Sequence, residues 1–272
     1  MNNPWTKIWS REYTREENRR DIEKEIKSIR WKKIHATVSR HFGSFKGLKV
    51  MEVGSGRGIY SLLFALEGSQ AFLLDTLKAA LERAKELFEE WGQSFQGVVA
   101  DAFTPSSDLT GTFDIAMSFG LAEHFRYPER LKIFESHLRL LKPGGLLIVS
   151  VPNAAFLPYR IGKYLLKTLH KWELGLEIPF SRKELVKIAK QLDLDHQQII
   201  GSGLVDDTLN FWLTQRLILL PGYLWDRVTS FAAGGKRKQG LPLKERLHNF
   251  TFNPATPLDD FLGYALVLIG EA

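Results

Sequence analysis

The stretch Val50-Met51-Glu52-Val53-Gly54-Ser55-Gly56-Arg57-Gly58 constrains the fold more than any other part of this chain. A short apolar run bounded by turn residues reads as a buried strand entering a tight turn. The residues that follow, Ile59 to Leu66, are compatible with a helix. Glycine lets a ligand approach the backbone, and the free N–H groups of a helix start point at it. Strand, glycine turn and helix together therefore make a nucleotide-binding site. The spacing decides which nucleotide. A dinucleotide fingerprint, G-x-G-x-x-G, would put its third glycine at Ile59, whose branched side chain would crowd helix against strand. Here the third glycine is Gly58, and Glu52 precedes the turn.

That E-x-G-x-G-x-G pattern resembles the first motif of class I S-adenosylmethionine (SAM) dependent methyltransferases of the small-molecule type, such as the ubiquinone-biosynthesis O-methyltransferase group. Further landmarks follow in the family's order. Ala71 to Asp75 is an apolar run ending in an acid, and a helical segment runs from Thr76 to Trp91. Val98 to Phe103 contains Asp101, and Phe113 to Phe119 reads as the fourth strand. Leu138 to Asn153 reads as a helix ended by Pro143, a sharp turn at Gly144 and Gly145, and the fifth strand. The resemblance implies SAM as cofactor and S-adenosylhomocysteine as product. It implies cofactor contacts from Glu52, Gly54, Ser55, Gly56, Gly58, Thr76, Ala102, Ser118 and Phe119. Asp75 would hold the ribose hydroxyls, since a carboxylate accepts two hydrogen bonds. Asp101 would meet the adenine amino group, with Phe103 as a neighbour of the ring. The expected fold is α/β, a Rossmann-like seven-stranded and mostly parallel sheet with helices on both faces. Its last strand runs antiparallel, and the site lies at the C-terminal ends of the strands.

The expected division is a cap of N-terminal helices over 1–42, a SAM-binding core over 43–203, a helical insertion or lid over 204–261, and the last core strand over 262–272. One amphipathic helix is expected from Thr14 to Phe42, with Ile22, Ile26, Ile29, Ile34 and Val38 at near-helical spacing. Trp5, Trp9 and Tyr13 recur every fourth residue, so a helix would align them on one face. They read either as a lid in contact with substrate or as a stripe packed on the core. Asn153 and Tyr159, after the fifth strand, join them as substrate-binding candidates. Ser181 to Glu184 matches a capping box opening a helix to about Leu192, and Gln198 to Gly203 reads as strand six. The insertion carries Phe211, Trp212, Leu213, Tyr223 and Trp225, then the basic turn Gly234 to Lys238. It reads as a cover for a hydrophobic acceptor, a peripheral membrane contact, a dimer interface or a small subdomain, so monomer and homodimer both stay open.

A chain of 272 residues can bury a full core, and the absence of cysteine excludes disulfides, cysteine-ligated zinc and a thiolate nucleophile. No apolar run reaches the roughly 20 residues of a bilayer span, and the N-terminus does not read as a signal peptide. A cytoplasmic protein is expected. The net charge of +6 fits nucleic acid, anionic lipid, an acidic substrate or simply a solvated basic surface. No P-loop pattern, no amino-methylase signature for DNA adenine and no metal-ligand spacing occurs, so neither DNA nor a metal is expected.

In this fold the residues after strand four face the methyl group. His124 is the candidate general base or substrate orienter, paired with Glu123, because imidazole titrates near neutrality. The same pair could instead only brace its loop. His137 reads as a solvated helix residue, and His35 and His41 as packing at a helix end. The expected reaction is in-line methyl transfer to a small or lipid-like acceptor. Methylation of RNA or protein, and a SAM-binding partner subunit without activity, are the alternatives.

Overall fold

The computed structural model describes residues 4–204 and 258–272, so nearly all of the expected insertion, with its aromatic run and basic turn, lies outside the described residues. Three helices come first: α1 (Pro4–Trp9), α2 (Arg15–Lys27) and α3 (Ile29–Phe42). Then follow β1 (Lys49–Val53), α4 (Ile59–Leu66), β2 (Gln70–Asp75), α5 (Lys78–Glu90) and β3 (Phe95–Val99). The second half contains β4 (Phe113–Phe119), α6 (Glu129–Leu140), β5 (Leu141–Pro152), α7 (Leu157–Thr168), α8 (Arg182–Gln191), β6 (Asp195–Ser202) and β7 (Ala265–Glu271). The strands form one seven-stranded sheet in the order β3-β2-β1-β4-β5-β7-β6. β7 runs antiparallel to β5 and β6, and the other pairs are parallel. The expected α/β architecture is present.

Alternation along β1 explains the two layers of core. Val50 joins Ile34, Phe64, Leu87 and Ile148 on one face of the sheet. Met51 and Val53 join Ile133, Phe134, Leu185 and Leu268 on the other. With both faces covered, the central strands are mostly apolar, as expected of a parallel sheet. Strand order reverses between β1 and β4, which opens a crevice at their C-terminal ends.

Several local expectations are corrected. The single N-terminal helix is two, broken at Ser28, whose backbone is extended and whose Oγ accepts from Trp31 N at 3.0 Å to cap α3. α1 stops at Trp9, leaving Tyr13 outside any helix. β3 ends at Val99, so Asp101 sits in the following turn, where its carboxylate accepts from Phe103 N at 2.8 Å. Pro143 does not end α6. The helix stops at Leu140, and Pro143 to Gly145 bulge out of β5 between Leu141, paired with Phe113, and Leu146, paired with Ile115. The chain after β5 forms α7, with Pro158 in its first turn. Only half of the capping box at Ser181 forms. Ser181 Oγ accepts from Glu184 N, while the Glu184 carboxylate turns to Arg130 at 2.6 Å.

His137 is also corrected. It is fully buried on α6, its Nδ1 donating to Ile133 O at 2.7 Å. Burial pushes its imidazole down from 6.5 to about 4. The fold holds the neutral ring, whereas the unfolded chain takes up a proton near 6.5. This contribution to stability is complete above that value and is lost as pH falls toward 4. His137→Gln should therefore show a shallower loss of stability than the parent when urea midpoints are compared at about pH 7.5 and about pH 4.5. Equal losses in both proteins would contradict this account.

Candidate active site

The crevice holds a cavity of about 590 Å³, walled by α1, the turn after β1, the ends of β2 and β4, and the loops after β3 and β4. Its floor is the glycine turn. Gly54, Gly56 and Gly58 have φ of +63°, +52° and +66°, a region that L side chains enter at a cost. Gly58 also lacks room, since a Cβ there would lie 2.7 Å from Leu73 Cδ1. The missing side chain lets α4 rest directly on β2. α4 has no side-chain cap of its own. Glu52 supplies one from β1, its carboxylate accepting from Ser61 N at 2.9 Å and from Ser61 Oγ at 2.7 Å. Burial raises the Glu52 carboxyl to about 7, against the pull of the two Ser61 bonds.

Asp75 closes the turn from the other side. One oxygen accepts from Gly56 N at 2.9 Å and the other from Leu77 N at 2.9 Å. A carboxylate has about four lone-pair sites. Each oxygen thus keeps one for a ligand, which suits a vicinal diol. Burial pushes the Asp75 carboxyl up, and the backbone N–H bonds oppose it. Ser55 lines the cavity beside it, its Oγ buried with no partner among the described residues. Thr76, Asp101, Ala102, Phe103 and Phe119 line the same cavity. Bare backbone, a half-used carboxylate and flanking aromatics fit a nucleoside that carries an amino-acid arm.

α1 covers this floor. Trp9 lies over the turn, so close that a Cβ at Gly56 would be 2.5 Å from its ring. Trp5 meets the His124 ring edge-on, centroids 4.8 Å apart. Tyr13 stacks under the Arg57 guanidinium at 3.8 Å, and Arg57 ties the turn to α2 through Asn18 at 2.8 Å and Asp21 at 2.6 Å. Trp5, Trp9, Tyr13 and His124 thus meet in one wall.

His124 stands in a short 3-10 turn, Ala122–His124, after β4. Its Nδ1 lies 2.6 Å from Leu176 O. A carbonyl only accepts, so a neutral ring held there carries its proton on Nδ1 and its lone pair on Nε2, and the Gly120 carbonyl also acts on the ring. Burial pushes the imidazole below its ordinary value, which keeps it neutral near pH 7. Glu123 is placed behind the wall rather than in it. It is buried, burial raises its carboxyl to about 8, and its Oε2 has no partner among the described residues.

Three other candidates also lie off the cavity. Ser118 is fully buried within β4. Asn153 donates to Phe261 O and Gly263 O, joining β5 to the start of β7. Tyr159 donates to the Glu177 carboxylate. Leu121 and Phe125, after β4 where the methyl group was expected to face, stand in the wall, and the sequence reading missed Glu25, Arg30 and Tyr60 there. Tyr60 stacks on Phe119 with centroids 3.4 Å apart, and Arg30 lies over the Tyr60 ring at 5.2 Å. Glu25 and Arg30 flank the helix break at Ser28, whose cap signature was the one signal that could have found them.

A family model described as a methyltransferase domain matches residues 19–199. A ubiquinone biosynthesis O-methyltransferase from Actinobacillus pleuropneumoniae is 30% identical over 175 residues, covering 61% of this chain and 74% of that protein. A SAM dependent methyltransferase from Archaeoglobus fulgidus has a similar fold, with a TM-score of 0.52 at 16% identity over 89% of this chain and 94% of that one. So does geranyl diphosphate C-methyltransferase from Streptomyces coelicolor, with a TM-score of 0.51 at 17% identity over 89% of this chain and 79% of that one. Motif, cavity and family match agree, and the chain belongs to the S-adenosylmethionine-dependent methyltransferases.

Proposed function

We propose that this methyltransferase acts on a small, apolar or lipid-like acceptor and that His124 takes the proton from its nucleophile. One observation carries the reading. His124, whose Nδ1 meets the Leu176 carbonyl, is, among the described residues, the one histidine in the wall of the cavity. Bound SAM supplies a methyl carbon on a positively charged sulfur, which leaves as the neutral thioether of S-adenosylhomocysteine. The chain's own work is alignment and proton removal. Asp75 and the glycine turn hold the nucleoside end, and α1 restricts water above it. Such alignment can supply much of the rate of a two-substrate reaction. A neutral imidazole then accepts the proton as the nucleophile bonds to carbon.

The acceptor class is supported by the wall itself, where Trp5, Trp9, Phe103, Leu121 and Phe125 offer flat apolar surface. The similar proteins point the same way, one named for ubiquinone biosynthesis and another for geranyl diphosphate. No described helix is long and apolar enough to cross a membrane.

Two substitutions separate the two halves of the site. Asp75→Ala should weaken SAM binding by about 1–3 kcal/mol in a calorimetric titration, since both ribose hydroxyls lose an acceptor. His124→Gln should leave that affinity intact and lower kcat by about 10²–10⁴. Turnover within roughly threefold of the parent would remove His124 from the chemistry. The acceptor class is tested with methyl-labelled SAM, purified protein and a cell extract. Label should partition into the organic phase. Label confined to the aqueous phase, and lost on nuclease or protease digestion, would replace the small acceptor with RNA or protein.

A further inference from the structure

The shortest contact of the His124 ring, on Nδ1, is with a carbonyl 52 residues away, in a strap (170–180) with no helix or strand of its own, while the Gly120 carbonyl of its own loop also acts on the ring. Something must hold Leu176 in place, because a loop carbonyl free to rotate would leave the ring to either tautomer. Four side chains do so from beside and within the strap. Lys163 Nζ, on α7, donates to Glu177 O and, at 3.0 Å, to Tyr159 OH. Tyr159 OH donates to the Glu177 carboxylate. Lys163 also lies over the Trp172 ring at 4.8 Å, and Trp172 Nε1 donates to Gly175 O at 2.9 Å. One ammonium group thus grips both sides of Leu176. Beyond it, Ile178 N donates to Glu123 O at 2.7 Å.

We infer that Tyr159, Lys163 and Glu177 are positioning residues that clamp the strap so that the Leu176 carbonyl keeps His124 with its proton on Nδ1 and its lone pair on Nε2. The inference rests on His124 as the base, and it gives Tyr159 a role away from the substrate. α1 joins the same strap through Lys7 and Glu173, 2.7 Å apart, while its Trp5 touches the imidazole. The charged groups that act on the ring are Glu177 and Lys163, with opposite sign. The clamp therefore sets the ring's orientation with little net charge beside it.

The experiment reads the ring directly. Nitrogen-15 NMR of the intact protein, with the His124 signals assigned by their loss in His124→Gln, is compared with kcat and SAM affinity. In the parent a single tautomer protonated at Nδ1 is expected. In Lys163→Met the ring should become a mixture of tautomers and kcat should fall on the order of tenfold. SAM affinity should be unchanged, and Lys163→Arg should restore both ring and rate. A single Nδ1-protonated tautomer persisting in Lys163→Met would overturn the inference. If Lys163→Met does not fold, Tyr159→Phe removes only one hydroxyl and is read in the same way. A mixed tautomer with unchanged kcat would leave the clamp standing and remove His124 as the base.

Discussion

Asp75 is the joint on which both the cavity floor and the fold depend. Its carboxylate pins Gly56 N to the end of β2. That contact requires the turn after β1 to fold back over the neighbouring strand, and the three left-handed glycines make the fold-back possible. Gly58 then lets α4 settle on Leu73, and Glu52 caps the first turn of that helix. The same atoms that leave backbone bare for a ligand also set how closely the first helix of the core approaches the sheet. Stability and binding are coupled here because one turn serves both.

What could be read from the sequence follows from how tightly local geometry constrains it. β1, β2, β4, β5 and β7 are covered on both faces, so each appears as a mostly apolar run. β3 is an edge strand with mostly exposed residues, and its boundary was misplaced for that reason. Glycine-turn residues and Asp75 were legible because the backbone itself demands them. Glu25, Arg30 and Tyr60 were not, because only tertiary packing brings them to the cavity. His137 looked solvated because the charged residues of α6 hide the side on which it is buried.

α1 links the two halves of the site. Trp9 rests on the glycine turn and Trp5 on His124, so one six-residue helix touches both the floor of the cavity and the loop after β4.

The antiparallel β7 carries a consequence for assembly. It lies last among the described strands along the chain, yet it sits between β5 and β6, and among the described residues β6 pairs with no other strand. Chains are made from the N-terminus. A growing chain therefore presents the completed β3-β2-β1-β4-β5 block with a raw edge along β5, where Leu147 and Val149 await cover. Unpaired apolar edges invite pairing with other chains. The distance between β6 and β7 in the chain makes closing that edge a slow, non-local step. During synthesis, the vulnerable surface of this enzyme is the seam that its last strand later seals.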